Sequence, residues 1–261
     1  MKLSDKLVLR TFSLLLCVLF GVCCIKEERE ECPCRLIVDL SDVDSADVAS
    51  VDVLLASRSD FSYVGERMAD SYGSDEVILV PRDELFLNVC YGHEGLMGVE
   101  GLRIPEGEAC PPVYLYSSVI DASESEFVRH QVRMHKCHCV MKIYVEGEGF
   151  PFEMHVKGGV CGYDAAGYPL PGDFTCSPDD IGESSFSVIL PRQTDASLLL
   201  QINDGSGVVK TFALGEYIKA CGYDWTDYDL KDLTVGIDYA RTQIVIAVQG
   251  WDEVYEFDIV I

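Results

Sequence analysis

Positive charge is scarce in this chain: 20 lysines and arginines stand against 44 aspartates and glutamates, a formal net charge of −24. Such a surface repels nucleic acid and anionic headgroups, which argues against a nucleic-acid role; acidity of this degree is explained by the solubility of an exported protein. Long apolar runs are scarce too. The stretch from Leu14 to Val22 is shorter than the ~20 residues that span a bilayer, and no later segment is long enough. Enzyme motifs are also missing. Residues 204–207, Asp-Gly-Ser-Gly, lack the spacing of a nucleophile elbow, and His93-Glu94 has no second histidine of a zincin. The glycines form no phosphate loop, and carboxylates are too abundant for a glycosidase dyad to be argued from them. The expectation is a non-enzyme: no catalytic residue, no cofactor, no metal and no small-molecule substrate. Wholesale disorder is excluded, because 48% of the residues are hydrophobic.

What is present begins at the N-terminus. Lys2, Lys6 and Arg10 precede the Leu14–Val22 apolar core, which ends at Cys23-Cys24 and is followed by an acidic-basic stretch, IKEEREE, at 25–31. This pattern resembles a bacterial lipoprotein signal, with residues 1–23 removed, Cys24 acylated as the first residue of the mature chain, and 24–31 an acidic tether. Cys24 is preferred over Cys23 because a small residue, Cys23, then precedes the cut. Lys26, Glu27 and Glu28 just downstream resemble the export signal that Gram-negative bacteria of the Bacteroides group use for surface lipoproteins. Lys2, Lys6, Arg10 and Asp5 leave with the leader, so 20 basic and 44 acidic side chains become 17 and 43, net −26. The mature chain of about 237 residues is enough for one large or two ordinary domains.

Of 12 cysteines, Cys17, Cys23 and Cys24 belong to the leader and anchor, leaving Cys32, Cys34, Cys90, Cys110, Cys137, Cys139, Cys161, Cys176 and Cys221. An odd number cannot pair completely within the chain, and connectivity is not readable from sequence. Cys32/Cys34 and Cys137/Cys139 are each separated by one residue, so on a strand each pair shares a face. His135 and His138 beside Cys137 make a local cluster, but zinc sites favour two-residue gaps with a matching second pair. The expectation for the paired cysteines is therefore small, half-buried strand residues.

The dominant pattern is alternation with period two. Leu36/Val38/Leu40, Val51/Val53/Leu55, Leu85/Leu87/Val89, Met141/Ile143/Val145, Phe152/Met154/Val156, Phe186/Val188/Leu190, Leu198/Leu200/Ile202, Val235/Ile237/Tyr239 and Ile244/Ile246/Val248 each mark one face of a short strand. Such strands predict antiparallel sheets with one buried face each, packed as β-sandwiches in an all-β fold. One short helix is predicted at Leu214–Cys221, ended by Gly222. A repeat runs through the pattern. VILVPRDELFLNV (77–89) and SVILPRQTDASLLLQI (187–202) share a strand, a Pro-Arg corner and a second strand, each preceded by two further strands. Two related sandwich domains follow, 32–133 and 134–261, with the seam in the polar stretch 121–131.

Tyr223, Trp225, Tyr228, Tyr239 and Trp251 are concentrated in the second half, where core packing is their commoner fate and a glycan platform the alternative. The final run alternates Tyr255, Phe257, Ile259 and Ile261 against Asp252, Glu256 and Asp258. It can complete its own sheet, the ordinary outcome, or enter a neighbour's groove by strand addition.

With these segments in place the chain resembles the FimB-type anchor family, which holds type V pili to the outer membrane in the Bacteroides group. The matching pieces are CIKEEREECPCRLIVDLS (24–41), MHKCHCVMKIYVEG (134–147), the VPR and LPR corners, LGEYIKACGYDWTDYDLKDLTVGIDY (214–239) and VQGWDEVYEFDIVI (248–261). The resemblance implies two transthyretin-like β-sandwich domains and lipid on Cys24. It also implies a role at the pilus base, anchoring the fibre to the outer membrane, limiting its length and contacting a fimbrial shaft subunit. Extra cysteines, Cys137, Cys139, Cys161, Cys176 and Cys221 among them, depart from that family. The alternative function is a surface glycan-binding lipoprotein of a polysaccharide-uptake system, which needs exposed, coplanar aromatics.

Overall fold

The computed structural model describes residues 32–93, 97–98, 101–146, 153–164, 166–203, 209–238, 243–250 and 253–258. The leader, Cys24, the 204–207 turn, Phe152, Tyr239, Trp251, Ile259 and Ile261 lie outside them. The first half contributes β1 (Cys34–Asp39), β2 (Ser50–Ser57), β3 (Ser62–Met68), β4 (Ile78–Val80), β5 (Glu84–Tyr91), β6 (Met97–Gly98), β7 (Gly101–Arg103), β8 (Tyr114–Asp121) and β9 (Phe127–Gln131). There follow β10 (His135–Lys136), β11 (His138–Glu146), β12 (Glu153–Asp164), β13 (Pro169–Cys176), β14 (Asp179–Gly182), β15 (Ser185–Pro191), β16 (Leu199–Asn203) and β17 (Val209–Phe212). Helix α1 (Leu214–Ala220) then leads to β18 (Leu233–Asp238), β19 (Gln243–Val248) and β20 (Val254–Asp258).

These strands build an all-β sandwich fold. A three-stranded sheet, β4-β1-β9, faces a five-stranded one, β10-β8-β5-β2-β3, and a six-stranded sheet, β14-β15-β11-β18-β19-β20, faces β17-β16-β12-β7-β6 with β13 on β12. The alternating apolar positions turn inward: Leu36, Val53, Leu55, Leu85 and Leu87 in the first core, and Met141, Ile143, Val188, Val235 and Ile246 in the second, are all at most 2% exposed. Full burial of each such side chain contributes about 1.5–3 kcal/mol, so these faces set the register of every strand. Helix α1 forms at the expected place, burying Leu214 and Ile218 and ending at Cys221 before Gly222.

Three features differ from the sequence reading. The sheets are not wholly antiparallel: β1 pairs in parallel with β9, and β11 in parallel with β18. Alternation reports which face is buried but not strand direction, and a parallel neighbour needs only a long crossover. Strand β9 falls inside the polar stretch 121–131, and Val132 behind it is buried in the first core. The paired cysteines are not half-buried: Cys34, Cys137 and Cys139 are enclosed, whereas Cys32, ahead of its strand, is exposed. In addition the first half reaches across to the second core, since β7 pairs with β12 and Leu102, Cys110, Val113 and Leu115 pack there. That crossing depends on Gly101 (φ +109), where a Cβ would lie 2.2 Å from the Tyr163 carbonyl oxygen.

The repeat seen in sequence is reproduced in the pairing. In each half the strand carrying the second cysteine of the Cys-x-Cys pair, Cys34 in β1 and Cys139 in β11, lies between an antiparallel and a parallel neighbour. The second cysteine pairs with the residue before Pro-Arg, Cys34 with Val80 and Cys139 with Leu190. The corner arginines then close loops. Arg82 Nε donates to the Cys32 carbonyl at 2.9 Å, and Arg192 donates to the carbonyls of Trp225, Asp227 (2.6 Å) and Tyr228 (3.1 Å). Hydrogen bonds from a charged donor contribute about 1.5–3 kcal/mol each, so Arg192→Ala is expected to lower unfolding free energy by about 2–4 kcal/mol. Arg192→Lys should recover less than half of that, because an ammonium lacks the planar fork that spans three carbonyls. Urea denaturation of the three proteins measures this, and equal stability of wild type and Arg192→Ala contradicts the assignment.

Candidate functional site

Among the described residues, the outer face of the five-stranded sheet is formed to receive another molecule. Residues alternating with the inward valines and leucines of β2, β5 and β8 point outward there: Leu54, Phe86, Asn88, Ser117. The β12–β13 turn lies over this face. Asp164 preforms it, its carboxylate accepting from the backbone N–H of Ala166 (2.8 Å) and Tyr168 (3.0 Å). Between turn and sheet is a hollow of about 330 Å³ lined chiefly by Leu54, Tyr63, Val64, Phe86, Leu115 and Ala166. A second, of about 270 Å³, continues past Phe86 to Val119 and Tyr168. Strand β3 forms the sheet edge beside the first hollow, and its Val64 is 63% exposed. An apolar trough next to a strand edge is suited to an extended chain: the edge offers main-chain hydrogen bonds and the trough takes alternate side chains.

A third hollow, of about 260 Å³, has a mixed lining that includes His135, Cys137, Arg192 and Tyr228. The His135 ring meets Tyr228 edge-on, centroids 3.3 Å apart, and burial holds its pKa down to about 4, so it stays neutral. The histidine–cysteine cluster noticed in sequence does not converge. His138 Nδ1 lies 3.0 Å from the Val113 carbonyl, positioned to donate to it, and Cys137 Sγ donates to the His135 carbonyl. Among the described residues the metal-ligating side chains that do gather are Asp52, Cys90 and His93. Sequence reasoning missed this group, because Asp52 lies on a different strand from Cys90 and His93 had been weighed only as half of a zincin motif.

The aromatic expectations divide in the same way. Trp225 is 9% exposed and packs against Tyr223 in a T-shape, centroids 4.8 Å apart, while the Tyr223 hydroxyl donates to the Lys231 carbonyl at 2.7 Å. These two rings are core, not a platform; Tyr228 is exposed. The terminal strand completes its own sheet: β20 pairs with β19 from Gln243↔Asp258 to Ala247↔Val254, and Phe257 packs on Tyr217 of α1. No helix among the described residues is long and apolar enough to cross a membrane.

No family model matches the chain, and no curated protein matches its sequence. Solved structures do match it in fold. The fimbrial anchor protein Mfa2 from Porphyromonas gingivalis superposes with a TM-score of 0.59 at 11% identity, over 84% of this chain and 98% of that one. A candidate polysaccharide-binding protein from Bacteroides thetaiotaomicron gives 0.59 at 10% identity, over 87% and 98%. A candidate adhesin from Bacteroides ovatus gives 0.57 at 13% identity, over 86% and 95%. The chain therefore shares, over most of its length, the fold of fimbrial and adhesin-like proteins of this bacterial group.

Proposed function

We propose that this protein is a non-enzymatic, lipid-anchored fimbrial subunit at the cell surface, holding a fibre to the outer membrane and limiting its length. The observation that carries this reading is the fold shared with a fimbrial anchor protein over 84% of the chain. The parts would be a signal at 1–23, acyl chains on Cys24 with a tether to residue 31, and two domains, 32–133 and 134–261. Its mechanism is mechanical. Acyl chains hold one end in the outer membrane, and main-chain pairing with a fimbrial shaft subunit holds the other. A paired strand resists pulling through many hydrogen bonds and apolar contacts at once. The edge of β3 and the apolar trough beside it favour that kind of contact. Glycan capture is the weaker reading, because Trp225 and Tyr223 are buried. Deleting the gene is expected to release fibres into the medium or to lengthen them. Fibres unchanged in retention and in length would overturn the proposal.

A further inference from the structure

We propose that Asp52, Cys90 and His93 form a site for one zinc ion. The trio is built by two ordinary features of the fold. Asp52 and Cys90 are direct partners across the antiparallel β2–β5 pair, so their side chains share a face, opposite to the one on which Val51, Val53 and Val89 enter the first core. Beyond β5 the chain turns sharply at Gly92 (φ +75), where a Cβ would lie 2.3 Å from the Pro112 carbonyl oxygen. That turn folds His93 back over the pair, and its Nε2 sits 2.7 Å from an Asp52 carboxylate oxygen. One ligand atom from each residue lies within 4.8 Å of the other two. Donors on a tetrahedral zinc ion lie about 3.3–3.6 Å apart, so binding opens the His–Asp contact by roughly half an ångström and draws the Cys90 sulfur, already within 4.8 Å, to the same spacing.

The donor chemistry selects the metal. A thiolate, an imidazole and a carboxylate together suit zinc, whereas calcium and magnesium take oxygen ligands. Binding releases the Cys90 thiol proton to solvent and forms the Zn–S bond with the remaining electron pair. Access differs along the trio: Cys90 is sealed in the second core, His93 is 14% exposed and Asp52 34%, so the ion enters from the carboxylate side and keeps water as its fourth ligand. A metal here joins the sheet of the first core to the turn from which the chain leaves for the second. The inference does not depend on the fimbrial reading.

The test uses the full chain, stripped of metal, with zinc chloride and cobalt chloride as probes. Calorimetry is expected to show about one equivalent of zinc bound, and saturating zinc to raise the unfolding midpoint by about 5 °C. Cobalt should give a thiolate charge-transfer band in the near ultraviolet. Cys90→Ser and His93→Ala should each weaken zinc at least about 100-fold and abolish the band. His93 is absent from both buried apolar cores, and an unchanged far-ultraviolet circular dichroism spectrum of apo His93→Ala separates loss of binding from misfolding. Failure of the wild type to bind zinc overturns the proposal. So does affinity that either variant leaves unchanged, which would place the metal on other thiols.

Discussion

Truncating Tyr163 to alanine is expected to remove about 4–5 kcal/mol of stability, a large share of the about 5–15 kcal/mol that a domain possesses. Tyr163 is fully buried and among the largest enclosed side chains of the molecule. Its ring lies in the second core on β12, and its hydroxyl donates to the Cys137 carbonyl while accepting the Arg192 backbone N–H at 2.8 Å. One side chain thus ties β12 to the start of β11 and to the Pro191-Arg192 corner of the opposing sheet. Burial pushes the phenol pKa well above its ordinary value, so it remains a donor across the working pH range. Losing the ring leaves a cavity, and losing the oxygen leaves an N–H and a carbonyl without their partner. Tyr163→Phe isolates the second effect and should cost about 1–3 kcal/mol. Urea unfolding of the three proteins separates the two contributions. A phenylalanine variant within about 0.5 kcal/mol of wild type would mean that solvent reaches these groups and the hydroxyl is not a structural tie.

Much of this core was legible because a strand's side chains alternate strictly. Every inward face marked by period two in the described residues, from Leu36/Val38 to Ile244/Ile246/Val248, is buried. The repeated Pro-Arg corner was legible for a related reason, since proline is tolerated only at strand ends and edges. What stayed hidden depends on distance along the chain. Nothing local in Arg35–Asp39 announces a parallel partner at Phe127–Gln131, about ninety residues away. The crossing of β7 onto β12 rests on close backbone approach at Gly101, which in sequence is one of 22 glycines. The Asp52–Cys90–His93 group needs the β2–β5 register before its members can be seen as neighbours. By contrast the His135–Cys137–His138 cluster, adjacent in sequence, is dispersed by the change from β10 to β11. Ligand-type residues adjacent in sequence need not bring their donor atoms together, whereas strand register brings distant ones side by side.

Replacing Cys24 by alanine is expected to move the protein from the membrane fraction almost wholly into the soluble one. The argument is a partition balance. Each buried methylene of an acyl chain contributes about 0.8 kcal/mol, so a single chain gives only reversible binding, while two or three chains hold durably. No helix among the described residues is long and apolar enough to cross a bilayer, and a net charge of −24 disfavours attraction to anionic headgroups. On this proposal the acidic stretch after Cys24 would serve as a spacer between the lipid and strand β1 at Cys34. Labelled palmitate should enter the wild type and not the variant, and fractionation should show the redistribution. Fibres in cells carrying the variant should then be shed, the same outcome expected of the deletion, because a subunit that pairs with the shaft but lacks its lipid would transmit no force to the membrane. Label retained by Cys24→Ala would move the acylation to another cysteine. A variant that stays membrane-bound without label would show that the chain is held by contacts other than lipid, and the mechanical reading of its N-terminus would fail.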